Sequence, residues 1–353
     1  QRLIYLLKAN YIFLHKSFNL RFFNASRNSF LVYISKCNII YLLKNILNSV
    51  FETQHQSAPF EQIQTSNFIP ALELEISKTL EEIDHICSNQ KTPTFENTIE
   101  SLERSGEQLG IISGILFNLN SAETSNELQE VTQKAAPLLT KFQNDVRLNK
   151  VLFDRIKSIY DLKETLGLDV EQLTLIEKEY KGFVRNGALL SPEDKDKLRL
   201  IDTELAQLSL SFGEHVLADS QAFELHLTDK KQLDGLPETS IAQAEALAKE
   251  KNKAGWIFTL DYPSYVPFVT YADDRELRKE MSLAFGKKGF QDNENNNETV
   301  ILKLVRLKKG RANLLGYSSH ADFVLEERMA QSAPQVNQFL DDLFQNALPF
   351  AKK

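Results

Sequence analysis

The chain has 353 residues, 42% of them apolar and 25% charged, with a net charge of −7. That exceeds what one hydrophobic core of about 250–300 residues supports, so two lobes or a lobe with an appendage are expected. The acidic surplus offers no footprint for nucleic acid, and two cysteines, Cys37 and Cys87, argue against a disulfide framework and for a reducing compartment or indifference to redox.

The first boundary is a shift in composition. Residues 1–51 hold seven Lys/Arg and no Asp, Glu, Gly, Pro or Thr. Such an acid-poor, basic segment fits an organellar transit peptide. Its longest apolar run, Phe30–Leu43, is broken by Lys36 and Asn38 and falls short of the roughly 18 residues that span a bilayer. Two other readings stand beside targeting, a helical appendage and a non-native leader. The chain starts at Gln1 and its first Met is Met281, which favours the non-native leader.

From Phe60 onward the chain reads as successive helices. Ile69, Leu72, Ile76, Leu80, Ile83 and Ile86 form one apolar stripe that begins near Pro70. Thr92-Pro93 predicts the start of the next helix, which buries Ile99, Leu102, Leu109, Ile112 and Leu116. Thr124-Ser125-Asn126-Glu127 reads as a capping box ahead of Leu128, Val131, Ala135, Leu138, Phe142 and Val146. Gly187 to Ser191 is a hinge-like loop. Ser191-Pro192 then opens the longest periodic stretch, with Leu198, Ile201, Leu205, Leu208 and Phe212.

Strand signals are confined to Ala222–Thr228 and Gly255–Asp261, which predict one small ribbon followed by breaks at Pro263 and Pro267. Asp273 is the expected cap and Gly286 the expected C′ residue of a helix through Arg278. Gln291–Asn297 reads as a polar loop. A helix with Val300, Ile301, Leu304, Leu307 and Leu315 on one face closes on Gly316. The last helix, from Ser332 with Val336, Phe339, Leu340 and Leu343, meets no stop signal before Lys353, which leads us to expect truncation. The predicted division is 1–51, 52–220 and 221–353.

Several runs carry a family resemblance. They are Pro93-Thr94-Phe95-Glu96-Asn97-Thr98-Ile99 with Leu102-Glu103-Arg104-Ser105-Gly106, Tyr271-Ala272-Asp273-Asp274-Arg275-Glu276-Leu277-Arg278, Arg311-Ala312-Asn313-Leu314-Leu315-Gly316-Tyr317, and Glu327-Arg328-Met329-Ala330. In this order the chain from Phe60 to Lys353 resembles the thimet-oligopeptidase family of zinc metallopeptidases, most nearly its oligopeptidase A and peptidyl-dipeptidase branch. The resemblance implies a mainly α, two-lobed, neurolysin-like architecture around a deep channel, of which this would be the N-terminal portion. It implies short peptides as substrates and one Zn2+ in the full-length parent, held by the two His of an HExxH helix and a later Glu. It also implies a monomer in the cytoplasm, with no nucleic-acid or membrane partner.

HExxH is absent from this sequence, so no catalytic, cofactor-binding or metal residue carries over, and no zinc is expected on this chain. Of His15, His55, His85, His215, His226 and His320, no two are four apart. One arrangement remains open: Glu214 and His215 with Glu224 and His226, if the strand doubles back. Polar-face roles are expected for His85 beside Asp84 and His320 beside Asp322, packing for Cys87, and a solvated face for Lys308, Lys309 and Arg311. Tyr262, Tyr265 and Phe268, on a proline-bearing loop, either face a peptide groove or pack around Trp256. The alternative to an inactive part of a peptidase is a non-catalytic helical protein that binds peptides or a partner. An exposed apolar face on the 333–350 helix favours the first, and a cooperatively melting monomer the second. A third reading, in which residues 1–51 anchor the chain to a membrane surface, is open to a vesicle-binding test.

Overall fold

A computed structural model describes residues 45–352; the Phe30–Leu43 run and Cys37 lie outside the described residues. The chain forms two compact units, Gln1–Ile63 and Gln64–Lys353. In the first, three 3-10 turns at Ile46–Asn48, Gln54–Gln56 and Phe60–Gln62 flank buried Leu47 and Phe51.

The second unit is almost wholly helical. Helix α1 spans Thr65–Ser88 and starts ahead of Pro70, because Asn67 accepts from the Gln64 amide (2.8 Å) and sets the first turn. Its buried face carries Phe68, Leu72, Thr79, Ile83 and Ile86. The next start lies at Thr94 rather than Thr92-Pro93: Thr94 and Asn97 cap each other ahead of a π-helical turn, Phe95–Glu100, that runs into α2, Ser101–Arg104. Nor does one helix continue to Leu116. The chain breaks at Gly106, whose φ of +74° suits glycine and whose added Cβ would lie 2.9 Å from Thr79 Cγ2. Helices α3, Glu107–Ala122, α4, Asn126–Arg147, α5, Lys150–Leu162, and α6, Val170–Arg185, follow. Ser125 caps α4 by accepting from the Leu128 amide at 3.2 Å. One core joins α1, the π turn, α4, α5 and α6 through Ile83, Ile99, Leu152, Ile156, Ile176 and Phe183.

Helix α7, Pro192–Ala222, starts where expected, with Ser191 as cap and Pro192 in the first turn. Only Leu198 and Asp219 in its 31 residues are buried: it packs on α4 along one side and on α11, Glu298–Leu314, along the other. The predicted ribbon forms from β1, Leu225–Leu227, and β2, Trp256–Phe258, antiparallel with Leu225 opposite Phe258 and Leu227 opposite Trp256. Helices α8, Glu238–Glu250, α9, Tyr262–Tyr271, and α10, Arg275–Gly286, cover it around Leu227, Phe258, Phe268 and Met281.

Three local expectations are corrected here. Pro263 and Pro267 do not break the chain but lie within α9; Pro263 falls in the first turn, where no N–H is needed, while Asp261 O accepts from the Ser264 and Tyr265 amides at 2.9 and 2.8 Å. Asp274, not Asp273, caps α10: its Oδ1 accepts from the Glu276 and Leu277 amides at 2.9 and 3.1 Å. Gly286 is the last residue of α10, and the left-handed position falls at Gly289, φ +67°. Gly316, φ +88°, does close α11.

The polar loop after α10 is pinned from inside. Asp219 is buried and accepts from the Gly289 amide (2.8 Å), Gln291 Nε2 (3.2 Å), Asn293 Nδ2 (2.9 Å) and Asn295 Nδ2 (2.8 Å). Burial pushes its carboxyl up, but these four donors outweigh it and hold the group below the ordinary carboxylate value.

A second polar joint fixes α11. Arg311 Nε donates to Asp202 Oδ1 of α7 (2.7 Å) and Arg311 Nη2 to Asn186 Oδ1 (3.1 Å), with both ionic side chains about 15% exposed. Beyond Gly316, Arg185 of α6 donates to Tyr317 Oη (3.1 Å) and Phe323 O (2.6 Å), pairs with Glu326, and lies over the Phe323 ring (4.4 Å). Lys178 and Lys181 pair with Glu327. Helix α12, His320–Leu325, is thereby held on α6, and α13, Ala333–Ala351, follows it. The expectation of a solvated Lys308–Arg311 face therefore fails for Arg311.

Two substitutions probe these joints. Asp219→Asn is expected to lower stability near neutral pH by about 2–4 kcal/mol. Because the folded carboxyl titrates below its unfolded value of about 3.9, that contribution is complete above this pH and is lost as pH falls through the folded value. Urea titrations should accordingly show the gap between the variant and the parent closing in acid. Gly235→Ala places a Cβ 2.2 Å from Tyr271 O at φ +86° and should cost about 3 kcal/mol or more. Gly167→Ala, at φ +65° with open space, should cost only about 1 kcal/mol.

Candidate functional site

A groove of about 1200 Å³ runs across α3, α4 and α7, with α1, α6 and α11 at its margins. On α3 it is bordered by Gly106, Gly110, Ser113 and Gly114, and its apolar lining includes Leu109, Phe117, Leu139, Phe142 and Leu210. Ser113 turns its hydroxyl back on Leu109 O (2.9 Å), so this side of α3 is nearly bare backbone. Two ion pairs border the groove: Arg147 Nη1 with Glu179 Oε2 (2.8 Å) and Arg311 with Asp202. Arg147 also lies over the Phe183 ring, 4.8 Å from its centroid, which ties the groove wall to the core behind it. Asn144 of α4 lines the groove while only 7% exposed.

The four residues that might have met around a metal do not converge. Glu214 Oε2 accepts from Gln133 Nε2 (2.7 Å), and His215 Nδ1 faces Asn297 Oδ1 (2.8 Å). Glu224 turns to Lys251 and Lys253, whose hydrogen bonds hold its carboxyl down at about 2. His226, opposite Ile257 on the ribbon, bonds Ala254 O through Nε2 (2.7 Å). Among the described residues no three His, Cys, Asp or Glu are placed to hold one ion.

The remaining candidates have structural roles. Cys87 packs against the main core, and burial raises its thiol above the ordinary value. His85 and Asp84 are exposed on α1. His320 starts α12 and stacks on Phe323, where burial, with Lys308 and Arg311 nearby, depresses its pKa. Asp322 accepts from the Ser318 and Ser319 hydroxyls (2.5 and 2.8 Å). Tyr265 stacks on Phe285 (4.1 Å), Phe268 meets Phe258 edge-on (4.7 Å), and Tyr262 meets Phe285 edge-on (5.8 Å). Tyr265 and Phe268 belong to the helix-covered ribbon with Trp256, while Tyr262 is largely exposed at the start of α9.

Sequence reasoning missed the residues that line the groove. The available signal was the four-residue spacing of Gly106, Gly110 and Gly114, which places all three on one side of α3. The α13 helix exposes Phe339, Leu340, Leu343 and Phe344 by more than half each, and no helix among the described residues is long and apolar enough to cross a membrane.

Comparison with known proteins gives two family matches in chain order. Residues 65–195 match the neurolysin/thimet oligopeptidase N-terminal domain, and residues 268–353 match peptidase family M3. The dipeptidyl carboxypeptidase of Escherichia coli is 32% identical over 287 residues, covering 80% of this chain and 42% of that protein. Oligopeptidase A of Escherichia coli is 28% identical over 305 residues, covering 85% and 45%. The organellar oligopeptidase A of Arabidopsis thaliana is 28% identical over 279 residues, covering 77% and 35%. The chain thus spans less than half the length of these relatives. With its mainly α fold and single small ribbon, it belongs to the thimet-oligopeptidase family of metallopeptidases, peptidase family M3.

Proposed function

We propose that these 353 residues act as the N-terminal portion of a zinc-dependent metallopeptidase that hydrolyses short peptides, as an oligopeptidase or a peptidyl-dipeptidase. The carrying observation is the pair of family matches in order, 65–195 and 268–353, on a chain that covers 42–45% of its bacterial relatives. On this reading the zinc and its ligands come from sequence outside these residues, and residues 52–220 and 221–353 supply a helical lobe and the lead-in to the catalytic lobe. The uncovered apolar face of α13 supports it, since more than half-exposed Phe339, Leu340, Leu343 and Phe344 call for a covering surface. The whole protein works as a monomer in the cytoplasm, or in an organelle if residues 1–51 act as a targeting leader.

The groove favours a second reading, in which the chain binds peptides without cutting them; its size and mixed lining suit an extended chain. The test that separates the two is to read the coding frame beyond Lys353 and assay its product. We expect an in-frame HExxH and a later Glu, one zinc per chain, and peptide cleavage that a chelator abolishes and zinc restores. The 353 residues alone should cleave nothing. A stop codon directly after Lys353, with the 353-residue chain accumulating as a cooperatively melting monomer, would contradict the first reading and leave the second.

A further inference from the structure

We infer that Asn186 is a modification site: with Gly187 it forms a deamidation switch, latent while the Arg311 joint is closed and irreversible once the joint opens and the pair reacts. The inference rests on the geometry at the end of α6 and holds under either reading of the function.

Asn186-Gly187 is the one Asn-Gly pair in the sequence. Asparagine before glycine is the most labile asparagine context, because a glycine nitrogen, with no Cβ beside it, reaches the amide carbon with least obstruction. In the reaction the Gly187 nitrogen attacks Asn186 Cγ. The N–Cγ bond forms, the Cγ–Nδ2 bond breaks, and the Gly187 amide proton leaves with Nδ2 as ammonia. Water then opens the cyclic imide at Cγ, giving aspartate, or at the backbone carbonyl carbon, giving isoaspartate. Water is the sole co-reactant, and nothing is oxidised or reduced.

The fold uses both residues. They end α6 with a double cap, in which the Ala188 amide donates to Phe183 O (3.0 Å) and the Gly187 amide to Val184 O (3.1 Å). This motif sets its glycine in the left-handed region, and Gly187 has φ +90°. A Cβ there would be strained and would also lie 2.7 Å from Leu198 Cδ2 and 2.9 Å from Leu190 Cδ1. Asn186 in turn bridges two groups: its Oδ1 accepts from Arg311 Nη2 (3.1 Å) and its Nδ2 donates to Gly182 O (2.8 Å). A carboxylate would serve Arg311 but has no proton for Gly182 O.

The same contacts disarm the pair. Gly187 is buried and its N–H is committed to Val184 O. Asn186 has ψ 20°, which turns the attacking nitrogen away from Cβ and Cγ. Ring closure needs rotation about that bond, and both hydrogen bonds of the Asn186 amide oppose it. The reaction therefore waits for a local opening in which α6 frays and Arg311 lets go.

Once it has run, the joint does not close as before. Isoaspartate lengthens the backbone ahead of Gly187 and displaces it from its seat among Leu148, Leu190 and Leu198. Aspartate sets a carboxylate against Gly182 O and beside Asp202, which shares Arg311. The pair thus records how long the contact between α6 and α11 has stood open.

Peptide mapping by mass spectrometry of the 353-residue chain, incubated in mildly alkaline buffer, tests this. Loss of Asn186 from the folded parent should be at least about tenfold slower than from the same chain unfolded in urea. Removing the charged hydrogen bond with Arg311→Met should speed the loss about tenfold or more in the folded state. Circular dichroism establishes that the variant is folded. If it is not, the parent in urea below its unfolding transition takes its place, and loss of Asn186 should then rise ahead of global unfolding. A folded parent that loses Asn186 as fast as the unfolded chain overturns the inference. So does a folded Arg311→Met chain that reacts at the parent's rate, or a loss that rises only in step with global unfolding. None of these results touches the metallopeptidase reading, which depends on the zinc-bearing sequence and its chelation.

Discussion

Arg311 reaches from α11 to Asp202 on α7, and much of the second unit's arrangement depends on that bond. Helix α7 has only two buried residues along its length, so hydrophobic burial alone fixes its neighbours weakly. The Arg311–Asp202 pair, largely withdrawn from water, selects one register between α7 and α11. Asn186, at the end of α6, accepts from the same guanidinium, so a single cation sets three elements. Arg185 extends the joint: it engages Tyr317, Phe323 and Glu326 and thereby positions α12 and the start of α13. Runs that mark the family in this sequence, Arg311 to Tyr317 and Glu327 to Ala330, thus contribute clamps between helices.

The same joint frames the groove. Arg311 lies on its margin, and pairing with Asp202 removes both charges from the ligand's side. Arg147 and Glu179 do likewise on the wall that backs onto the core. What remains facing the open space is backbone of α3 and aliphatic and aromatic surface.

Much of the fold was legible because local signals agreed with one another. Trp256 and Phe258 alternate with their neighbours and a ribbon forms; Ser191-Pro192 is a helix start in sequence and in space; Gly316 ends α11 with a left-handed turn. Where readings failed, a partner distant in sequence decided. Arg311 belongs to a charge run that looks solvated, and nothing local reveals Asp202, 109 positions away. Two prolines suggest a broken α9, although Pro263 in a first turn is a start signal. The groove was not legible in the sequence, because its walls come from helices that meet only after folding.

The most direct test of this account is a double-mutant cycle on Arg311 and Asp202, with each replaced by a similar-sized neutral residue, Arg311→Met and Asp202→Asn, in urea unfolding. If this pair is the joint on which α7 and α11 depend, the coupling energy should be about 1.5–3 kcal/mol, and Arg311→Met alone should also loosen the α6 to α12 contacts in hydrogen exchange. A coupling below about 0.5 kcal/mol, the level of an ordinary exposed ion pair, would contradict it and return the arrangement of these helices to apolar packing alone.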